Sequence, residues 1–404
     1  MPWWLRIGLL ICGTVVAVIP LAGTSQPRAR SLERQELVDM MVGTSILCTR
    51  GGDTEGMIKR IDDALAAGAK FTMIALEDIP DEWMSFTSFG VGGGGAWPHV
   101  TERMERQGFV RGKPSDPSLP TAIDLLSGYL GRRFDVTFEA EAGGATASAL
   151  LTASRLNIPI VDGCPSGRCL PEVQMSPFFM NGISRAPLAA TTRYGDSIIM
   201  PRVHDDFRVE DLTRALAVAS GGGVTVAANA VNGKVLKQNL IPGFLSKAIA
   251  LGRAARTAVA SGSDPVQAVV NAGEGYLLFR GIVSQSDSKG ELGFGWTTAV
   301  LDGTGGFAGS QYRIFNKNEN MVAWRDGRLD ASAPDLIAAV DPRTGWAMRG
   351  GSVIGSFVVG QDLAIVGFRN HAIWRTPKAA EMLGPRHFGF DHDYVPIEQL
   401  HPRR

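Results

Sequence analysis

Val136-Thr-Phe-Glu-Ala-Glu141, followed by Thr146-Ala-Ser-Ala-Leu-Leu-Thr-Ala-Ser-Arg-Leu156 and by Ile158-Pro-Ile-Val-Asp162, is the stretch that decides the fold class. The first and last runs are short, apolar and rich in β-branched residues, as buried strands are; the middle run carries helix formers without a break. Strand, helix and strand in so few residues imply a right-handed crossover and parallel pairing. Ligands of such sheets sit outside the carboxyl ends of the strands. Glu141 and Asp162 close the two strands, so both carboxylates are expected to face one crevice.

Outward from this unit, the residues Leu32 to Val42 read as a short amphipathic helix. Thr54 to Ala67 reads as a second helix, ended by Gly68. Phe71 to Leu76 reads as a buried strand, Pro114 to Pro120 as a loop, and Thr121 to Leu130 as a helix closed by Gly131. Past Arg185 the texture changes. Val209 to Ala219 and Phe244 to Ala260 read as helices, and from Tyr276 onward short strands alternate with glycine and Asp-Gly turns. The expected fold is α/β in two domains. An N-terminal α/β domain with parallel strands spans 32–184, and a β-rich α+β domain spans 185–398.

The 404 residues suffice for two ordinary cores. Forty basic residues balance forty acidic ones, and no Lys/Arg run is interleaved with aromatics, which argues against a nucleic-acid partner. No Walker loop, nucleophile elbow or paired-cysteine zinc site is present, and no nucleotide cofactor is expected. The four cysteines, Cys12, Cys48, Cys164 and Cys169, are too few for a disulfide scaffold and are expected to be buried free thiols. Residues 1–30 have the charged, apolar and small-residue order of a signal peptide or a short anchor through 7–22, which implies export or membrane attachment. The alternative is translation starting at Met40 or Met41.

Three places concentrate chemistry. Asp162-Gly-Cys-Pro-Ser-Gly-Arg-Cys-Leu-Pro-Glu172 places Asp162, Cys164, Arg168 and Glu172 in one loop leaving a buried strand, its backbone fixed by Pro165 and Gly167. The bland reading is a connection in which Asp162 caps a following element and Arg168 pairs with Glu172. Glu139-Ala-Glu-Ala-Gly-Gly144 offers Glu141, with the Gly143 and Gly144 amides opening a helix and aimed at any anion. Gly384-Pro-Arg-His-Phe-Gly-Phe-Asp-His-Asp-Tyr394 gathers Arg386, His387 and Asp391. There His387 and Asp391 are candidate ligands for a divalent metal such as zinc, against a polar docking tail as the alternative.

Taken in order, Glu141-Ala-Gly-Gly144, Pro159-Ile-Val-Asp162, Gly167-Arg168, Pro171-Glu172, Ala186-Pro187-Leu188, Gly221–Gly223, Ile241-Pro242-Gly243, Asn318-Glu319, Pro334-Asp335-Leu-Ile337 and Gly384-Pro385-Arg386 resemble the S-methyl thiohydantoin desulfurase family. The resemblance runs from about Leu32 to Glu398. It implies a site between two domains and hydrolysis at a five-membered thiohydantoin- or hydantoin-like ring. It also implies a cytoplasmic setting and a hydantoinase-like partner, and a homo-oligomer is expected. In that chemistry Glu141 and Asp162 suit the base and acid. Arg168 and the Gly143 and Gly144 amides suit charge stabilisation, with Thr146 and Arg386 contacting substrate. The chain departs from the family in three places. Gly143-Gly144-Ala145-Thr146 stands where the family has Gly-Gly-x-Asn, Asp162-Gly163-Cys164 where it has Asp-x-Asp, and Arg50-Gly51-Gly52-Asp53 where it has a longer glycine-rich loop. Two other functions follow from the departures. One is a non-catalytic binding subunit. The other is a covalent role for Cys164, its thiolate favoured by Arg168.

Overall fold

The computed structural model describes residues 28–109, 119–349 and 357–402, so the expected signal or anchor segment and most of the loop around Pro114 lie outside the described residues. Nine strands build a first sheet: β1 (Arg30–Ser31), β2 (Thr72–Ala75), β3 (Met84–Gly92), β4 (Val136–Glu139), β5 (Ile160–Cys164), β6 (Leu188–Thr192), β7 (Ser197–Met200), β8 (Gly223–Asn232) and β9 (Ile241–Pro242). Seven more build a second: β10 (Tyr276–Glu291), β11 (Phe294–Gly303), β12 (Gln311–Lys317), β13 (Glu319–Arg325), β14 (Arg328–Ser332), β15 (Leu336–Val340) and β16 (Asp362–Phe368).

The first sheet runs β1-β2-β5-β4-β3-β8-β6-β7, with β9 paired to β5. Its centre, β2-β5-β4-β3, is parallel, and both flanks are antiparallel. The crossover expected from the sequence is therefore present, joining β4 to β5 through the helix Gly144–Leu156. All four β4 residues are buried, as a central parallel strand covered on both faces requires. The strands β6, β7 and β8 lie beyond the expected boundary at residue 184 yet belong to this sheet. The second sheet is antiparallel throughout, in the order β14-β13-β12-β11-β10-β16-β15.

Helix starts follow local chemistry. The Asp53 carboxylate accepts from Gly56 N, Thr121 and Asp124 form a capping box, and Asp205 accepts from Arg208 N. The helices Arg34–Leu47 and Phe244–Ser261 cross closely because each supplies a glycine. A Cβ on Gly43 would stand 1.9 Å from the Ala248 carbonyl oxygen, and one on Gly252 would stand 2.0 Å from that of Asp39. Met40 and Met41 lie mid-helix, fully buried in this core, which also takes in residues of β15 and β16. A chain begun at Met40 would lack the first half of that helix.

Candidate functional site

A cleft of about 1380 Å³ opens at the carboxyl ends of the parallel strands. Four segments supply its chemistry: the turn after β4, the loop after the first helix, the loop after β5, and the β12–β13 turn. On the first, the chain leaves β4 at Glu139 and lifts Glu141 into the cleft before the helix Gly144–Leu156 begins. Gly143 has φ 78, and a Cβ there would stand 2.9 Å from the Cys48 sulfur, so glycine is required twice over. Gly143 and Gly144 both line the cleft, at a helix start where N–H groups lack internal partners.

The fourth segment was recognised from sequence only as a recurring pair. Strands β12 and β13 meet at Asn318, which adopts φ 57. Asparagine tolerates this left-handed conformation better than most residues. Here Asn318 is fixed by two reciprocal bonds with Gly295, at 2.7 and 2.8 Å. The turn sends neighbouring side chains to different tasks. Lys317 bonds Glu172, and Glu319 enters the cleft wall, its Oε2 without a hydrogen-bond partner among the described residues.

Glu141 and Glu319 form an interacting pair of carboxyls. Burial and then the charge of Glu141 push Glu319 up to about 8, against the pull of Arg50, Arg168 and Arg214. Glu141 is also raised by burial, but the Leu170 N–H donates to its Oε2 at 2.9 Å, and Arg50, Arg214 and Arg185 favour its charge. Glu319 is thus the carboxyl that burial and its neighbour favour in the protonated form, while the bonds and cations around Glu141 favour its charge.

Three of the nearby guanidinium groups are committed to the structure. Arg214 bonds Glu210 and the carbonyls of Gly92, Gly293 and Pro171. Arg185 bonds Asn229, pairs with Asp206 at 3.2 Å and lies over the Phe89 ring. Arg168 is fully buried and donates to the carbonyls of Cys169, Asp335 and Asn320 and to the Thr49 hydroxyl. Arg50 differs. It lines the cleft, half-buried, and forms no ion pair or side-chain hydrogen bond with any described residue.

The structure redistributes the residues singled out from sequence. Asp162 does not face the cleft. It lies mid-strand in β5 with its side chain toward the helix layer, where it accepts from Leu245 N, Ser246 N and the Ser246 hydroxyl and so caps the helix Phe244–Ser261. Cys164, two residues on, shares that face, and burial with the charge of Glu139 pushes its thiol well up. Arg168 makes no bond to it, so the expected thiolate has no support. Thr146 is buried and donates to Glu139, away from substrate. Burial raises Glu139 to about 8 behind the cleft. Glu172 is held by His387, Lys317 and Gln174 rather than by Arg168; burial would raise it, but His387 and Lys317 bring it down to about 2.

The C-terminal candidates separate. His387 reaches Glu172 at 3.1 Å, whereas Asp391 is exposed and pairs with Arg386 at 3.0 Å. Arg386 is occupied by Asp391 and Asp393, so it is not at the cleft. The proposed His387–Asp391 ligand pair is therefore not formed, and among the described residues no group of three His, Cys, Asp or Glu side chains is placed to hold a metal ion. The cysteine expectation also needs correction: Cys48 and Cys169 form a disulfide, and Cys164 is free.

These placements give two expected results. Asp162→Ala should lower unfolding free energy by about 1–2 kcal/mol, the worth of a helix cap, and leave kcat nearly unchanged. Cys164→Ser should leave kcat/KM nearly unchanged too. Chemical denaturation and steady-state kinetics check both, and loss of turnover in either folded variant would return that residue to the chemistry.

Comparison with known proteins matches residues 35–202 to the S-Me-THD-like N-terminal domain and residues 204–397 to the S-Me-THD-like C-terminal domain. No curated protein matches the chain. Two solved chains do. One is the crystal structure of a protein from Chromobacterium violaceum, with a TM-score of 0.67 and 19% identity over 91% of this chain and 100% of that one. At that identity the likeness is one of fold.

Proposed function

Because the chain belongs to the S-Me-THD-like family, we propose that it hydrolyses a small five-membered cyclic amide or amidine, a thiohydantoin, S-methyl thiohydantoin or hydantoin-like ring. The observation that carries this reading is the Glu141–Glu319 pair in the cleft, one carboxyl keeping its proton while the other can release it. Hydrolysis of such a ring needs water attack at an amidine-like carbon and protonation of the departing sulfur or ring nitrogen. A carboxylate base and a carboxylic acid lining one cleft supply both.

In this proposal ionised Glu141 takes a proton from water as its oxygen bonds to the ring carbon. Neutral Glu319 gives its proton to the leaving atom as the ring or C–S bond breaks. Arg50, with no ion pair or side-chain hydrogen bond to any described residue, faces the negative charge that builds on the ring, together with the amides at the start of the helix Gly144–Leu156. The pair then exchanges one proton to reset.

The pH dependence follows from the signs. The rising limb of kcat/KM should fall above the ordinary carboxylate value, where Glu141 ionises, and the falling limb near the value of about 8 at which Glu319 loses its proton. Stability should move in the same window. From the ordinary 4.5 up to about 8 the folded protein retains protons on Glu139 and Glu319 that the unfolded chain has released, so stability declines as pH rises. Below 4.5 the depressed Glu172 acts oppositely, its stabilisation being lost as pH falls toward about 2. Urea unfolding across pH 3–9 checks this, and Glu319→Gln should flatten the alkaline decline; a stability curve rising from pH 5 to 8 would sink the assignment. Turnover of S-methyl thiohydantoin and hydantoin tests the function directly. Ligand-induced stabilisation without turnover would instead make the protein a binding subunit.

A further inference from the structure

The Cys48–Cys169 disulfide joins segments 121 residues apart, and each half lies beside a group that acts on the carboxyl pair. Cys48 ends the helix Arg34–Leu47 and is followed by Thr49 and Arg50. Cys169 is followed by Leu170, whose N–H donates to Glu141. The sulfur of Cys48 packs against Gly143, the residue that turns the chain from Glu141 into its helix, and Cys48 itself lines the cleft.

The loop carrying Arg50 is not in a relaxed conformation. Thr49 has φ 67, a region that β-branched residues rarely occupy, and Gly51 has φ 81. Such a backbone persists only where its surroundings enforce it. Here the enforcing contacts are the disulfide one residue earlier, the bond from Arg168 to the Thr49 hydroxyl at 3.2 Å, and Gly52 N to the Met348 carbonyl at 3.3 Å. Arg50 has no bond of its own to any described residue that would hold it over the cleft.

We infer that the Cys48–Cys169 disulfide is a redox-sensitive positioning element of the cleft: closed, it holds Arg50 and the Leu170 N–H against the two carboxyls, and reduced, it releases them. The inference rests on the acid–base reading of Glu141 and Glu319. The reducing partner is a dithiol. One of its thiolates attacks a cysteine sulfur and its second thiol closes on the first, so that the S–S bond becomes two protein thiols while the dithiol becomes a cyclic disulfide. Two electrons and two protons pass to the protein. Both cysteines are only 1% exposed, so the dithiol reaches Cys48 through the cleft that it lines, and a ring substrate bound there should slow this exchange.

The groups facing the carboxyl pair are Arg50, Arg168, Arg185 and Arg214 and the buried carboxyl of Glu139, and of the cations all but Arg50 are pinned by bonds elsewhere. Freeing Arg50 therefore removes one cation from the pair and leaves the others, which should move both limbs of the pH profile upward.

The test uses the whole protein. Peptide mapping without reductant should link Cys48 to Cys169; both found as free thiols in the native protein would overturn the inference. With S-methyl thiohydantoin as the probe, dithiothreitol should lower kcat/KM at least tenfold, reversibly on reoxidation, and shift both limbs to higher pH. The double variant Cys48→Ala/Cys169→Ala should reproduce the reduced state. If that variant does not fold, reduced wild type with an unchanged circular-dichroism spectrum carries the comparison. A disulfide that only stabilises the fold would lower Tm and leave kcat/KM and the limbs in place, and that result overturns the inference. Should the oxidised protein turn over no cyclic amide or amidine, it is the hydrolase reading that fails. Infrared titration of the protonated carboxyl then decides the disulfide's role: a higher pKa on reduction supports it and an unchanged one overturns it.

Discussion

Glu319→Gln should cost about 10²–10⁴-fold in kcat on a five-membered cyclic amidine, the usual scale for losing a positioned acid or base, without a matching loss of stability. Glutamine has nearly the shape of the protonated carboxyl that burial enforces at this position, and it cannot acquire the charge that makes the site costly at high pH. Glu319 Oε2 makes no hydrogen bond to a described residue, so the substitution breaks no existing bond there. Glu141→Gln should cost a similar factor. It replaces an oxygen that accepts from Leu170 N, and the amide cannot serve as a base. The two losses should not add, because the residues act as one unit. Steady-state kinetics beside urea unfolding make the check. Wild-type kcat in either variant would remove that carboxyl from the mechanism.

Arg168→Met should lower the free energy of unfolding by about 3–5 kcal/mol. The guanidinium is fully buried and bonds the carbonyls of Cys169, Asp335 and Asn320 and the Thr49 hydroxyl. Methionine fills the volume but leaves those acceptors without donors, far from water. Arg168→Lys should recover only part of the loss, since one ammonium cannot span the positions that a planar fork reaches. Denaturation midpoints with unchanged m-values would establish it; a change under 1 kcal/mol would mean that water or another side chain takes over these acceptors.

The contrast between Arg168 and Glu319 shows what the residue string conveys. The crossover was legible because Val136-Thr-Phe and Ile160-Val are β-branched or aromatic runs separated by a helix, a pattern that depends on neighbours along the chain. The strand β8 was not. Its Ala227 and Ala228 carry little β signal, and its burial comes from β3 and β6 closing on either side. The place of Glu141 in the cleft was legible because it lies two residues beyond the end of β4. Asp162 was misassigned for a related reason: the position of a strand end does not say which face a side chain takes, and the two-residue alternation puts Asp162 with Ile160 and Cys164 on the helix side. Glu319 draws its unusual proton affinity from burial against segments far away in sequence. Nothing beside it in the chain distinguishes it from a surface glutamate in a hairpin. The disulfide was equally out of reach, since its halves lie 121 residues apart and meet only once the N-terminal domain has folded.

The close crossing of the helices Arg34–Leu47 and Phe244–Ser261 has a consequence for how the protein is made. The first of these helices is among the earliest described segments to leave the ribosome, yet the helix it packs against is complete only at residue 261. At ~5–20 residues per second that interval is on the order of ten seconds or more. Throughout it, Leu37, Met40, Met41 and Ile46, all completely buried in the finished protein, have only the helices Thr54–Ala66 and Gly144–Leu156 to pack on and lack the one their helix crosses most closely. During synthesis the nascent chain thus carries a partly uncovered apolar helix near its leading end, a ready target for a chaperone. An isolated fragment ending near residue 202 would keep that surface permanently, and aggregation is its expected fate.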